Sequence, residues 1–303
     1  MKLLLLSAFV ILLVAARPDV LPTIGVLTHP STEVLEQYGP NYLSASYVKW
    51  TEMAGARAVP ILWDAPTSQI FDLMSKIDGI LFPGGSRLKN LFEVSCEIYR
   101  EAIRINKAGR PFVLFGTCLG FEQLGWCEGA ELEAFDTRNI AMNLDFTKEA
   151  FSSRTLQGMP QKLIYSLQNE NITMNNHYWG FSLAEFNRVL AKHYVLISTN
   201  KDRQGKVFVS TMEHKLYPFF GVQWHPEKPI YEHSGAQANP HTQNAVAAGK
   251  YFAEKFIEYA RKADGSITPE EVERRSFNRL NPVYTFPIYP YFSQVYFFES
   301  MEF

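Results

Sequence analysis

Cysteine is scarce in this sequence, with three residues, Cys96, Cys118 and Cys127, among 303. That is too few for a disulfide-stapled scaffold, so the fold must rest on its own core. Concentrated positive charge is also lacking. The 29 basic and 31 acidic side chains are interspersed and leave a net charge of −2, which excludes the electrostatic footprint of a nucleic-acid binder. Beyond residue 16 no apolar run approaches the roughly 20 residues that a membrane span needs. No internal repeat appears, and no linker that would separate two domains.

What is present is ample core material. Hydrophobic residues make up 47% of the chain and charged ones 20%, enough for a substantial buried core. Met1-Lys2 precedes an apolar run over residues 3–16, with small Val14 and Ala16 placed for cleavage before Arg17. Residues 1–16 therefore read as a signal peptide and residues 17–303 as a single mature domain. Asn171-Ile172-Thr173 is the one N-glycosylation acceptor, in keeping with a luminal or secreted chain. An odd cysteine count leaves at least one thiol free. Either Cys96 pairs with Cys127 and Cys118 remains, or all three stay reduced.

In order, residues 23–27 predict a first buried strand, 42–54 a helix stopped by Gly55, 56–62 a second strand, and 67–76 a helix capped by Thr67. Residues 79–82 predict a third strand ending at Pro83-Gly84-Gly85, and 91–107 a helix. A strand then runs from Arg110-Pro111 into Phe115. Alternating strands and helices argue an α/β fold with a mostly parallel central sheet and helices on both faces. Ligands on such sheets sit at the carboxyl ends of the strands, where both Gly84-Gly85 and Cys118 fall. Residues 130–210 predict additional antiparallel strands, 219–224 a strand, and 241–263 a long closing helix. The tail, 277–303, is too rich in Tyr, Phe and Pro to stay solvated; it packs on the domain or forms a subunit interface.

Chemistry centres on Gly116-Thr117-Cys118-Leu119-Gly120, where an apolar strand turns sharply into a helix. Glycines at these positions match a nucleophile elbow with cysteine in place of serine. The helix N-terminus should favour the thiolate, which is the attacking species. A base is needed, and His225 follows a strand with Glu227 two residues on; in an extended segment the two share a face, so Glu227 can orient the imidazole. The N–H groups of Gly85 and Leu119 are placed to form an oxyanion hole. Together these parts describe acyl transfer through a thioester.

The three segments Phe82-Pro83-Gly84-Gly85-Ser86, Gly116-Thr117-Cys118-Leu119-Gly120 and Gly221-Val222-Gln223-Trp224-His225-Pro226-Glu227 resemble the class I glutamine amidotransferase superfamily. Ser44-Ala45-Ser46-Tyr47-Val48-Lys49, Ala54-Gly55-Ala56-Arg57, Ser210-Thr211-Met212-Glu213 and the secretory start narrow that resemblance to the gamma-glutamyl hydrolases. The resemblance implies a lysosomal or secreted cysteine peptidase acting on the γ-glutamyl bonds of folate and antifolate polyglutamates. It implies no metal or organic cofactor, a small-molecule substrate, no nucleic-acid or membrane partner, and a homodimer. It makes Cys118 the nucleophile, His225 the general base and acid, and Glu227 the supporting carboxylate. Tyr47, Gly84, His177 and Trp179 become substrate-binding residues. A polyanionic substrate also calls for cations near the cleft, and Arg87, Lys89 and Lys228 lie beside the motifs. Two other functions share the scaffold. A glutaminase domain feeding a synthase fits the motifs but not the signal peptide, and a non-catalytic binding protein does not need an intact Cys, His and Glu set.

Overall fold

The computed structural model describes residues 21–299, so the expected signal peptide lies outside the described residues. The chain opens with β1 (Thr23–Leu27), β2 (His29–Pro30) and β3 (Asn41–Ser44). It then alternates α1 (Ala45–Met53), β4 (Arg57–Ile61), α2 (Thr67–Lys76), β5 (Gly79–Phe82), α3 (Lys89–Lys107), β6 (Val113–Thr117) and α4 (Leu119–Trp126). A second half supplies β7 (Glu133–Met142), β8 (Asp145–Phe146), α5 (Gln161–Asn169), β9 (Thr173–Gly180), α6 (Leu183–Arg188), β10 (Tyr194–Lys201), β11 (Val207–His214) and β12 (Phe219–Val222). The last elements are α7 (Lys228–Tyr231), α8 (Gln243–Ala260), α9 (Pro269–Arg275), β13 (Val283–Tyr284) and β14 (Gln294–Phe298).

Eight strands form the central sheet in the order β4-β1-β5-β6-β12-β11-β10-β8. The first five run parallel, and β11, β10 and β8 add an antiparallel wing. Strand residues alternate between two cores, as a period of two demands. Leu81, Val113 and Phe115 point to one face, under Trp50 of α1 and Phe252 and Phe256 of α8. Ile80, Phe82 and Leu114 point to the other, under Ile98 and Tyr99 of α3 and Phe121 of α4. Helices on both faces and a mostly parallel sheet are what the sequence predicted. The Cys96–Cys127 disulfide joins α3 to the end of α4, with Cα atoms 5.1 Å apart, and leaves Cys118 as the free cysteine.

Three local expectations are corrected. Residues 42–54 are not one helix: Asn41–Ser44 is a strand, because β14 of the tail pairs antiparallel with it and both Tyr42 and Leu43 are buried there. Thr67 does not cap α2; Pro66 holds the cap position, and the Thr67 hydroxyl donates to Glu97 Oε2 at 2.7 Å instead. The strand expected over 219–224 ends at Val222. The aromatic tail packs on the domain, adding β14 and β13 to a small sheet ordered β13-β14-β3-β2. A two-stranded ribbon, β7 with β9, stands apart from the main sheet.

Candidate active site

Cys118 occupies the junction of β6 and α4 with φ 53° and ψ −107°, a backbone region that residues with a Cβ rarely adopt. The strain is enforced by its neighbours. Cys118 N–H donates to Val222 O at 2.9 Å, and Gly120 N–H donates to Pro83 O at 3.1 Å, which ties the turn to both flanking strand ends. A Cβ on Gly120 would lie 2.0 Å from Phe82 O, and one on Gly116 2.5 Å from Gly120 O. Both glycines are therefore required by close backbone approach.

Gly84 marks the point where the functional groups converge. A Cβ there would stand 2.6 Å from Tyr47 Oη, 2.8 Å from His225 Cε1 and 3.2 Å from Cys118 Cβ. The Gly84 N–H donates to Tyr47 Oη at 2.8 Å. His225 Nδ1 lies 2.7 Å from Glu227 Oε1, and both residues are buried. With the Nδ1 proton directed at that carboxylate, Nε2 is the nitrogen left to meet the thiol. Tyr47 Oη is 3.3 Å from Nδ1. Tyr47 thus joins the Pro-Gly-Gly turn to the imidazole–carboxylate pair.

The expected extended His225–Glu227 segment is not what brings these side chains together. The β-strand stops at Val222, and Glu227 has helical φ and ψ as the residue that starts α7, with Pro229 inside its first turn. The i,i+2 contact comes from a turn whose helix start fixes Glu227. His225 is held from behind by its own N–H, which donates to Met174 O at 2.8 Å.

Electrostatics at the nucleophile differ from the expectation. Burial pushes the Cys118 thiol well above its ordinary value, and the carboxylates of Glu122 and Glu227 push further in the same direction. The Leu119 N–H and the Lys228 ammonium oppose them. The helix N-terminus does act as anticipated, but dehydration of the sulfur outweighs it and favours the thiol form. The Leu119 N–H reaches the Cys118 sulfur. Gly85 is exposed at the cleft and backed by His29, whose Nδ1 would sit 2.1 Å from a Cβ there.

A cleft of about 410 Å³ surrounds these groups, lined among others by Gly85, Cys118, Leu119, Glu122, His177, Trp179 and His225. His177 Nδ1 is 2.7 Å from Trp179 O and Nε2 is 3.3 Å from Asn175 Oδ1. Burial lowers its pKa to about 3, so the ring is neutral across the physiological range. Of the three candidate cations, Arg87 lines the cleft, with its guanidinium 4.9 Å from the Trp179 ring. Lys228 also lines it but is buried and committed: Nζ donates to Gln237 Oε1 at 2.7 Å and Tyr291 O at 2.9 Å. Lys89 is absent from that lining; it is exposed on α3 and pairs with Glu93 at 3.7 Å. Asn171 is exposed just before β9, while Thr173 of the same acceptor is buried and donates to Met142 O at 2.7 Å.

Several residues of the cleft were missed. Glu122 lies one helical turn after Cys118, accepts from Gln223 Nε2 at 3.1 Å, and is driven by burial to a pKa of about 8. Its i+4 spacing from the nucleophile was the available signal. Arg138, Tyr178, Tyr289, Tyr291 and Phe292 also line the cleft. The last three come from the opposite end of the chain, and only their aromatic enrichment marked them. Away from the cleft, Glu128, His193 and His214 are close enough to hold a metal ion. However, His214 Nδ1 accepts from the N–H groups of Leu216 and Tyr217 at 3.0 and 3.1 Å. That puts its proton on Nε2, the nitrogen a metal would need.

The family model described as glutamine amidotransferase class-I matches residues 42–238. Gamma-glutamyl hydrolase of Homo sapiens is 40% identical over 288 residues, covering 92% of this chain and 90% of that protein. Gamma-glutamyl hydrolase B of Dictyostelium discoideum is 35% identical over 291 residues, covering 92% and 83%. Gamma-glutamyl hydrolase 1 of Arabidopsis thaliana is 32% identical over 274 residues, covering 87% and 78%. Among solved structures, the glutaminase domain of Trypanosoma brucei CTPS with bound acivicin superposes with a TM-score of 0.51 at 18% identity, covering 84% of this chain and 99% of that one. A Thermoplasma acidophilum protein described as part of a GMP synthase gives the same TM-score, 0.51, at 14% identity, covering 79% and 94%. At those identities the likeness speaks for the fold.

Proposed function

This chain belongs to the gamma-glutamyl hydrolase family, and from that premise we propose that it hydrolyses the γ-glutamyl bonds of folate and antifolate polyglutamates through a γ-glutamyl thioester on Cys118. The observation that carries the reading is the convergence of Cys118, His225 and Tyr47 on Gly84, with Glu227 2.7 Å behind the imidazole.

The geometry supports the following course of reaction. As the γ-carbonyl carbon enters, the Cys118 thiol proton passes to His225 Nε2 and the sulfur–carbon bond forms. Glu227 stabilises the imidazolium this creates. The carbonyl oxygen becomes an oxyanion and takes hydrogen bonds from the N–H groups of Leu119 and Gly85. The carbon–nitrogen bond breaks, and the amine departs with the proton from His225. Water then loses a proton to Nε2 and attacks the thioester, releasing the γ-carboxyl product and restoring the thiol. A thiol that rests protonated suits this sequence, because the imidazole removes the proton during attack. His177 and Trp179 form a neutral wall for the acyl glutamate.

Secretion through residues 1–16, glycosylation at Asn171, lysosomal or extracellular residence and a homodimer belong to the same reading. Among the described residues no helix is long and apolar enough to cross a membrane.

The test is the product spectrum from pteroylpentaglutamate with the wild type and with Cys118→Ala. Shortened folates with free glutamate or γ-linked peptides, absent in the variant, are expected. Ammonia from free glutamine with intact pteroylpentaglutamate would instead indicate a glutaminase.

A further inference from the structure

One wall of the cleft alternates cation and ring. Trp179 and Tyr178 are consecutive on β9, with ring centroids 5.1 Å apart at an interplanar angle of 88°. The Arg87 guanidinium lies 4.9 Å from the Trp179 ring, and the Arg138 guanidinium 5.3 Å from the Tyr178 ring. All four side chains belong to the cleft lining that also holds Cys118 and His225. A guanidinium seated on a ring has one face covered while its in-plane N–H groups still point outward, in the fork that matches a carboxylate.

These two arginines are also uncommitted. Among the described residues neither forms an ion pair, whereas Arg104, Arg154, Arg188 and Arg203 each hold an acidic partner. The remaining cation of the lining, Lys228, is spent on Gln237 and Tyr291. Glu122, the acid that acts on Arg87, is pushed by burial up to about 8, so near neutral pH it is mostly uncharged and leaves Arg87 available. The other acid of the lining is Glu33.

We propose that Arg87 and Arg138 bind successive α-carboxylates of a γ-linked glutamate chain, and that this pair sets a preference for long chains over short ones. Linkage through the γ-carboxyl leaves every residue of such a chain with a free α-carboxylate, so a long substrate can engage both guanidiniums. A diglutamate carries only two such carboxylates, and one of these belongs to the residue whose γ-carbonyl sits at Cys118, so it reaches only the nearer guanidinium. The inference rests on the γ-glutamyl reading above.

Two readouts separate the inferences. The first compares kcat and KM for pteroyldiglutamate and pteroylpentaglutamate with the wild type, Arg138→Gln, Arg138→Lys and the Arg87→Gln/Arg138→Gln pair. Loss of one exposed charge-assisted contact should raise KM for the pentaglutamate roughly fivefold and shift that for the diglutamate less than about twofold, with kcat moving little. Lysine should restore part of the loss. The second is calorimetric binding of γ-linked pentaglutamate to Cys118→Ala, with and without Arg138→Gln, at two salt concentrations. Weaker binding and a smaller salt dependence in the double variant are expected. Equal KM changes for both lengths, or no change in either readout, would overturn the arginine assignment. An inactive wild type whose Cys118→Ala form binds the chain through Arg138 would sink the hydrolase reading and leave the arginine assignment standing.

Discussion

Glu227 Oε1 and His225 Nδ1 lie 2.7 Å apart in a pair that is almost wholly buried, and the contact is made by a helix start. Glu227→Gln keeps the shape but loses the charge that stabilises the imidazolium. We expect kcat to fall about a hundredfold, against a loss of nearly all activity in Cys118→Ala, because misorienting a base is milder than deleting the attacking atom. Steady-state kinetics on one γ-glutamyl substrate decide this, and equal losses in both variants would contradict it.

The elbow makes a steric prediction. Gly120→Ala places a Cβ 2.0 Å from Phe82 O, a backbone atom that cannot swing away. We expect a destabilisation of about 2–3 kcal/mol or more, together with loss of turnover as Cys118 moves out of line. Thermal melting and the rate of Cys118 alkylation would report the two effects. An Ala variant of wild-type stability and rate would mean that the Pro-Gly-Gly turn is not packed on the helix as described.

Buried titratable groups give the stability a dome-shaped pH dependence. Glu122 is held at about 8 in the fold against an ordinary 4.5, so between those values the unfolded chain has released a proton that the folded one keeps. Stability therefore falls as pH rises through that window. His29 and His177 act the other way. Burial holds both at about 3 against an ordinary 6.5, so the unfolded chain takes up protons that the fold refuses, and stability falls as pH drops from 6.5 towards 3. Glu122→Gln should flatten the decline between pH 6.5 and 8 in a series of melting curves while leaving the acid limb in place. An unaltered alkaline limb would show that Glu122 is not held neutral.

The tail is predicted to be part of the active cleft. Ser293 N–H donates to Glu232 Oε2 at 2.7 Å, Lys228 Nζ donates to Tyr291 O at 2.9 Å, and Phe292 is buried between the tail and the cleft. Phe292→Ala should cost about 3–4 kcal/mol and raise KM, since Tyr289 of the cleft lining, whose ring centroid lies 6.0 Å from it, loses its seat with it. Denaturant melts and KM measured on the same preparation would test both halves.

The Cys96–Cys127 disulfide closes a loop with a sequence separation of 31. Replacing both residues by serine should cost about 2–4 kcal/mol and leave Cys118 as the thiol that reacts with alkylating agents. Mass spectrometry of the alkylated wild type should find one modified cysteine under native conditions, and three would refute the pairing.

Legibility in the sequence followed the range of the interactions. The β6 strand, the glycines around Cys118 and the alternation of strands with helices were readable because each depends on residues within a few positions: periodicity for the strands, close approach for Gly116 and Gly120. Residues 42–54 misled because a helix-like pattern was overruled by β14, which is more than 240 residues away and turns Asn41–Ser44 into a strand. Thr67 failed as a cap because Glu97 on α3 offered its hydroxyl a better partner. The state of the Cys118 thiol was also out of reach. The helix N-terminus is visible in sequence, but the dehydration that outweighs it depends on everything packed around the sulfur.

By itself the sequence determined the candidate reacting set that the proposal rests on, since a cysteine between two glycines at a strand–helix turn and a histidine two residues before a glutamate admit few other chemistries. Tertiary structure decided what surrounds that set. It brought Tyr47 under Gly84, made Glu122 a mostly neutral acid near neutral pH, committed Lys228 to the tail and seated Arg87 and Arg138 on adjacent rings. The division has one physical cause: short-range sterics and hydrogen bonding are written in neighbouring residues, whereas burial and charge pairing depend on which distant segments the fold packs together.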